Sequence, residues 1–180
     1  GGANGHIDEM ARFVSPNTIL LAKISEEERS SNPISKIDYE ILEENYKILQ
    51  QATDINGEPF KIIRVPSPNL NVPDYFTVII VSDEWRASGS LNMSSFSNDD
   101  TIKITKAVSY MNFFISNEVV LSAEYWKEGM PESEKKKNDE VKKILEQLFP
   151  ERKIIQINPL AINRGGGGIH CATQQQPKRK

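Results

Sequence analysis

Apolar positions along this chain change their period several times, and each change marks a different element. Residues 11–14 and 18–22 are short apolar runs on either side of Ser15-Pro16-Asn17, a turn composition, and they predict the two strands of a β-hairpin. A polar link rich in Glu and Ser follows over residues 25–32. Ile34, Ile37, Ile41, Leu42, Ile48 and Leu49 then recur at helical spacing, which predicts a helix over residues 33–52 with Pro33 in its first turn. Asn56-Gly57 suits the turn that ends it, and residues 60–65 return to a strand pattern.

The same order recurs roughly a hundred residues further on. Residues 110–115 and 119–123 predict strands around Ser116-Asn117-Glu118, residues 134–149 place Val141, Ile144, Leu145 and Leu148 on one helix face, and residues 153–157 form a closing strand. Hairpin, helix and strand, twice in that order, predict an α/β fold built from ββαβ modules. Val78-Ile79-Ile80-Val81 is a further strand candidate, and the Ser- and Asn-rich stretch 83–105 reads as an irregular loop walling a site. Each module has an apolar face it cannot cover alone, so the modules are expected to pack on one another and on further ones.

Composition narrows the class of protein without choosing a function. At 180 residues, with 38% hydrophobic and 26% charged positions, the chain has the apolar material for one core. A net charge of -3 argues against a broadly basic surface for nucleic acid or membrane, and the one basic run, Pro177-Lys178-Arg179-Lys180, reads as a solvated tail. A single cysteine precludes an internal disulfide, and no signal-peptide pattern or membrane-spanning apolar run occurs. The cytoplasm is the expected compartment. Because the sequence opens at Gly1-Gly2-Ala3 without Met, secretion directed by an earlier leader stays open.

The densest chemistry lies in Gly165-Gly166-Gly167-Gly168-Ile169-His170-Cys171. Glycine permits close backbone approaches that a side chain forbids, so the sole cysteine can be either an accessible nucleophile or an inert buried thiol in a flexible loop. Gly5-His6-Ile7-Asp8 stands just before the first strand. In an extended segment His6 and Asp8 share one face, as an acid-base pair or as a structural hydrogen-bonded pair. Cysteine, histidine and an acid are the ingredients of thiolate chemistry. His6, Asp8, His170 and Cys171 are also zinc-ligand types, but the adjacent His170-Cys171 pair lacks zinc-site spacing, and no metal is expected. His170 is expected to turn away from the pocket, since neighbours on an extended segment face opposite sides. Tyr110, Phe113 and Phe114 read as core, Asn112 as a hydrogen-bonding group for substrate or turn, and Trp85 and Trp126 as surface packing or the walls of an opening.

Asn4-Gly5-His6-Ile7-Asp8, Ala11-Arg12-Phe13, Ser109-Tyr110-Met111-Asn112-Phe113 and residues 165–177 resemble, in order and spacing, the C-terminal half of agmatine deiminases and the related Porphyromonas-type peptidylarginine deiminases. The resemblance runs over essentially the whole chain, and GGGGIHCATQQQP is its most specific stretch. It implies a pentein fold, an α/β propeller of ββαβ modules, of which residues 1–180 would be the C-terminal part of one deiminase domain. It implies hydrolysis of a guanidino group to a ureido group with release of ammonia: agmatine to N-carbamoylputrescine first, peptidyl or free arginine second. Cys171 takes the place of the nucleophile that attacks the guanidinium carbon, His6 that of the acid and base, and Asp8 that of a carboxylate gripping the guanidinium. Asn112 and Gly168 are the further substrate-binding candidates. The resemblance calls for no metal or organic cofactor. The expected partners are a small guanidino substrate, agmatine or arginine, and the first half of the same domain with its further acidic residues. A homo-oligomer is compatible with the sequence. A contrasting class is a half that is inactive alone and only binds its complement.

Overall fold

In a computed structural model, which describes residues 5–84 and 96–176, the first hairpin is β1 (Ala11–Ser15) antiparallel to β2 (Thr18–Lys23). β2 is buried at every position from Thr18 to Ala22, as a strand covered on both faces must be. Helix α2 (Pro33–Gln51) then crosses over, and β3 (Lys61–Pro66) returns parallel to β2. The second module repeats this: β6 (Phe114–Ile115) pairs antiparallel with β7 (Val119–Ala123), helix α3 (Glu132–Leu148) follows, and β8 (Lys153–Ile157) lies parallel to β7. The duplicated ββαβ order expected from the sequence is therefore present, as two three-stranded sheets.

Several local expectations are corrected. The end of the stretch 83–105 read as loop is strand β5 (Thr101–Thr105), which pairs antiparallel with β4 (Phe76–Ile80) from Phe76↔Thr105 to Ile80↔Thr101, while residues 85–95 of that stretch lie outside the described residues. Its β-branched Thr-Ile-x-Ile-Thr pattern suits a strand, and the surrounding Ser and Asn obscured it. Of the strand expected over residues 110–115 only Phe114–Ile115 forms. Tyr110, Met111, Asn112 and Phe113 are consecutively buried rather than alternating, and Ser109 Oγ accepts a hydrogen bond from Met111 N at 2.9 Å, bending the chain into a turn. The polar link holds a short helix, α1 (Glu26–Arg29), because Ser25 Oγ caps Glu28 N at 3.2 Å. A last short helix, α4 (Leu160–Asn163), precedes the glycine run. Trp85 and Pro177-Lys178-Arg179-Lys180 lie outside the described residues.

The inward face of α2 also differs from expectation. Leu42 is buried and Tyr39, Tyr46 and Leu49 pack on the core, whereas Ile37, Ile41 and Ile48 are exposed at 56%, 43% and 59%. Residues 39, 42, 46 and 49 form one helical stripe, and three of the isoleucines belong to another. On α3 the expected Val141 and Leu145 are buried, joined by the polar Glu134 and Asn138 of the same stripe. One core runs through both modules, from Leu20, Leu21 and Val65 to Phe113, Val120 and Leu145. At its centre Tyr125 meets Tyr75 and Tyr110 edge-on, with ring centroids 5.6 and 5.1 Å apart. Among the described residues no helix is long and apolar enough to cross a membrane.

Candidate active site

The chemistry gathers where three segments meet: the lead-in to β1, the lead-in to β6, and the glycine loop after α4. The lead-in to β1 is a single 3-10 turn, Ile7–Glu9, and not the extended segment expected. Its hydrogen bonds from Glu9 N to His6 O and from Met10 N to Ile7 O curl the chain. Residues two apart therefore no longer share a face, and the adjacent Asp8 and Glu9 carboxylates converge instead.

Asn112 is the hub, and its backbone partners fix which way its carboxamide points. Oδ1 accepts from His170 N at 2.8 Å and from Cys171 N at 3.2 Å, so Nδ2 must face the acids. That nitrogen lies 3.0 Å from Asp8 Oδ2, 2.8 Å from Glu9 Oε1 and 3.1 Å from Cys171 Sγ. The loop can come this close only because of its glycines: a Cβ on Gly168 would stand 2.6 Å from Asn112 Oδ1, and one on Gly167 would stand 2.8 Å from Cys171 Cβ. Gly168 thus seats the loop on Asn112.

Cys171 is exposed, which removes the reading of an inert buried thiol. Its thiol donates to Asp8 Oδ2 at 3.3 Å, and Glu9 Oε1 lies 4.0 Å away. His170 does not turn away. Its Nδ1 lies 2.7 Å from the same Asp8 Oδ2, because residues 169–172 form turns, in which neighbouring side chains are not forced to opposite sides. His6 is exposed and borders a cavity of about 200 Å³ that it shares with Glu9, Met10, Leu42 and Ser109. Neither Asp8 nor Cys171 lines that cavity, so His6 opens on a space that the other two do not border, while Glu9 lines it and also stands 4.0 Å from Cys171 Sγ. In the sequence Glu9 reads as one more polar residue after the motif, and its adjacency to Asp8 is the signal that points to it.

The two acids differ electrically. Burial works to raise the Asp8 pKa, but hydrogen bonds from His170, Cys171 and Asn112, with the charge of His170, outweigh it and hold the group below its ordinary range. Glu9 is pushed up to about 8, first by burial and then by the Asp8 charge. Arg12 donates through Nη1 to Phe113 O at 2.8 Å and lies 4.9 Å from the Phe113 ring centre, fastening β1 to the lead-in of β6. Burial lowers its pKa, against the opposing pull of Asp8 and Cys171.

Asp8, Glu9 and Cys171 offer metal-ligand atoms within 4.8 Å of one another, a different set from the one considered on sequence. The Asn112 amide nitrogen already sits within hydrogen-bonding distance of all three, with its hydrogens directed among them. The arrangement suits a planar N–H donor better than a bare cation. Trp126 packs on its own loop, donating to Met130 O at 3.3 Å, while Tyr110 and Phe113 are core residues as expected.

The mixed α/β fold of this chain matches that of solved deiminase structures. An agmatine deiminase structure from Enterococcus faecalis is similar over 98% of this chain and 41% of its own, with 26% identity and a TM-score of 0.64. One from C. jejuni matches 96% of this chain and 39% of its own, at 20% identity and a TM-score of 0.57, which speaks for the fold alone. Agmatine deiminase of Medicago truncatula is 32% identical over 97% of this chain. The chain spans about two fifths of the length of the curated relatives it matches, 40% in the Medicago protein. Residues 2–177 match the family described as Porphyromonas-type peptidyl-arginine deiminase, and the chain belongs to that family.

Proposed function

We propose that the chain serves the hydrolysis of a guanidino group to a ureido group with release of ammonia, agmatine being the substrate. The observation that carries this reading is the set of acceptors around the Asn112 amide nitrogen: Asp8 Oδ2, Glu9 Oε1 and Cys171 Sγ, all within 3.1 Å. They surround a planar N–H group, and a guanidinium presents such a group with a positive charge and an electrophilic carbon beside the sulfur. The carboxyl groups hold the plane of the cation, and a cation beside a thiol favours the thiolate. In the proposed reaction the Cys171 thiolate forms a bond to the guanidinium carbon, and the C–N bond breaks as His6 gives a proton to departing ammonia. A water that then loses its proton to His6 attacks the thiouronium carbon. The C–S bond breaks, returning the thiolate and leaving the ureido product.

Cys171, His6 and Asp8 take these roles because they occupy the matching motif positions, with Asn112 and Gly168 shaping the guanidinium site. His170, beside Asp8, helps to hold that carboxylate. The names of the relatives favour agmatine, and the family description supports arginine or peptidylarginine as the second reading. The finer architecture in this proposal is a pentein propeller in which the two ββαβ modules are neighbouring blades. Further modules bring additional acids, and the reaction takes place in the cytoplasm.

The test is chemical. Chloroacetamidine, an amidinium alkylator, should add one mass to the Cys171 peptide and be slowed by agmatine. Agmatine should yield ammonia and a product with a ureido mass. Cys171→Ser should lose both activities with its melting temperature unchanged, since the side chain is exposed. Labelling indifferent to agmatine and arginine, or turnover by the Ser variant, would overturn the assignment.

A further inference from the structure

The β6 lead-in is joined to α4 and the glycine loop by main-chain bonds, Ala107 N to Asn163 O at 3.2 Å and His170 N to Asn112 O at 3.1 Å, and that segment is braced internally by Asn163 Nδ2 donating to Gly167 O at 2.9 Å. The acidic turn is attached differently. Asn112 reaches its carboxylates, but a guanidinium would compete for those same oxygens. One tie to the turn's backbone escapes that competition: Ser109 Oγ donates to Glu9 O at 2.7 Å.

Ser109 is itself held from two sides. Met111 N donates to its hydroxyl at 2.9 Å, which leaves the hydroxyl proton for the Glu9 carbonyl. Tyr125 Oη accepts from Ser109 N at 2.9 Å and donates to Ser109 O at 3.2 Å. Tyr125 is 1% exposed and wedged between two other tyrosine rings, so this grip is rigid. We propose that Ser109, gripped by the Tyr125 hydroxyl, is a positioning residue that sets where the Asp8 and Glu9 carboxyl groups stand relative to Cys171, and so the preference of the site for a cationic electrophile. The proposal deepens the reading of the site as one that takes a guanidinium, and it rests on that reading for its link to turnover.

Two alkylators of similar size separate placement from folding. Chloroacetamidine is cationic and reads the carboxyl groups; iodoacetamide is neutral and reads the thiol. In Ser109→Ala the ratio of their rate constants, chloroacetamidine over iodoacetamide, should fall about tenfold, the effect of one lost buried hydrogen bond to the turn. Ser109→Thr keeps the donor and should restore most of the ratio, and Tyr125→Phe should lower it by about threefold. An unchanged ratio in folded Ser109→Ala, or an equal loss in Ser109→Thr, overturns the proposal. Should Ser109→Ala not fold, an unchanged ratio in Tyr125→Phe does so. The outcome is separable from the deiminase reading: if wild-type protein forms no ureido product from agmatine while the ratio still falls, the deimination is wrong and the placement stands. If product forms and the ratio holds, the placement alone is wrong.

Discussion

The two ββαβ modules bring chemistry to the same corner, the few residues just before the first strand, but they bring different groups. Ahead of β1 the first module carries Asp8 and Glu9, and ahead of β6 the second carries Asn112. One corner supplies acceptors and charge. The other supplies a neutral donor locked by two backbone N–H groups. The helices behind them differ too. α2 leaves Ile37, Ile41 and Ile48 exposed, whereas α3 buries Glu134 completely. Glu134 accepts from Tyr75 Oη at 2.9 Å and Asn69 N at 3.1 Å and pairs with Lys137 at 3.0 Å; Asn138, one turn on, meets the Tyr110 hydroxyl. A buried charge is tolerated only when partnered in this way. The polar network stiffens Tyr75 and Tyr110, whose rings flank the Tyr125 that grips Ser109, so the second module is the reference frame and the first holds the charges placed against it.

The sharpest way to break this comparison is to remove a histidine from each side. His6 belongs to the acidic corner and His170 to the loop seated on Asn112. Acid-base catalysis contributes about a hundred- to ten-thousand-fold, so His6→Ala should lower the turnover number within that range if it performs both proton transfers. His170→Ala removes the partner of Asp8 at 2.7 Å and should cost less, on the order of tenfold. Steady-state kinetics on both variants, at matched melting temperatures, decide the matter. The proximity of His170 to Cys171 makes it the only serious rival, and a greater loss in His170→Ala would reverse the two roles.

Removing the hub should show next. Asn112→Ala strands the Cys171 backbone N–H, leaves His170 N only its 3.1 Å bond to the Asn112 carbonyl, and removes the amide donor that Asp8 and Glu9 share. A stranded buried group costs about 1–3 kcal/mol, so chemical denaturation should register a loss in roughly that range. Asn112→Asp should be worse at neutral pH than at pH 5, because it sets a second negative charge against Asp8 in place of the amide donor. Equal losses at the two pH values would mean that the acids do not meet at this hub.

Much of this was legible in the sequence where periodicity or motif spacing spoke. The ββαβ order followed from the apolar runs, and the nearness of Asp8, Asn112 and Cys171 came from motif resemblance. What stayed hidden depended on turn geometry. The 3-10 curl at Ile7–Glu9 turns Glu9 inward and leaves His6 on a cavity that Cys171 does not line, and no alternation rule for strands anticipates that. The turns at residues 169–172 likewise bring His170 and Cys171 to one carboxylate. β5 was masked by its Ser- and Asn-rich surroundings, and the α2 face was misassigned because Tyr39 and Tyr46, amphipathic residues, took the inward stripe from three isoleucines.

The smallest expected effect separates the two acids of the first corner from each other. Glu9 has its carboxyl pushed up to about 8 by burial and by the Asp8 charge, against an ordinary value of 4.5. The folded state therefore holds a proton that the unfolded chain gives up. Stability from this source is fully present below the ordinary value and is lost as pH rises through about 8. Asp8 runs the other way: its lowered pKa contributes stability above the ordinary value of 3.8, which is lost as pH falls below it. Glu9→Gln keeps the shape of the protonated carboxyl and its contact with Asn112 while removing the titration. Allowing for partial access of water, wild-type protein should lose roughly 2 kcal/mol between pH 5 and pH 8.5 that the Gln variant keeps. Urea titrations of both proteins at the two pH values measure the difference directly. Parallel pH dependence would show that Glu9 ionises as freely in the folded chain as in the unfolded one, and the acceptor set around Asn112 would then carry two negative charges at neutral pH instead of one.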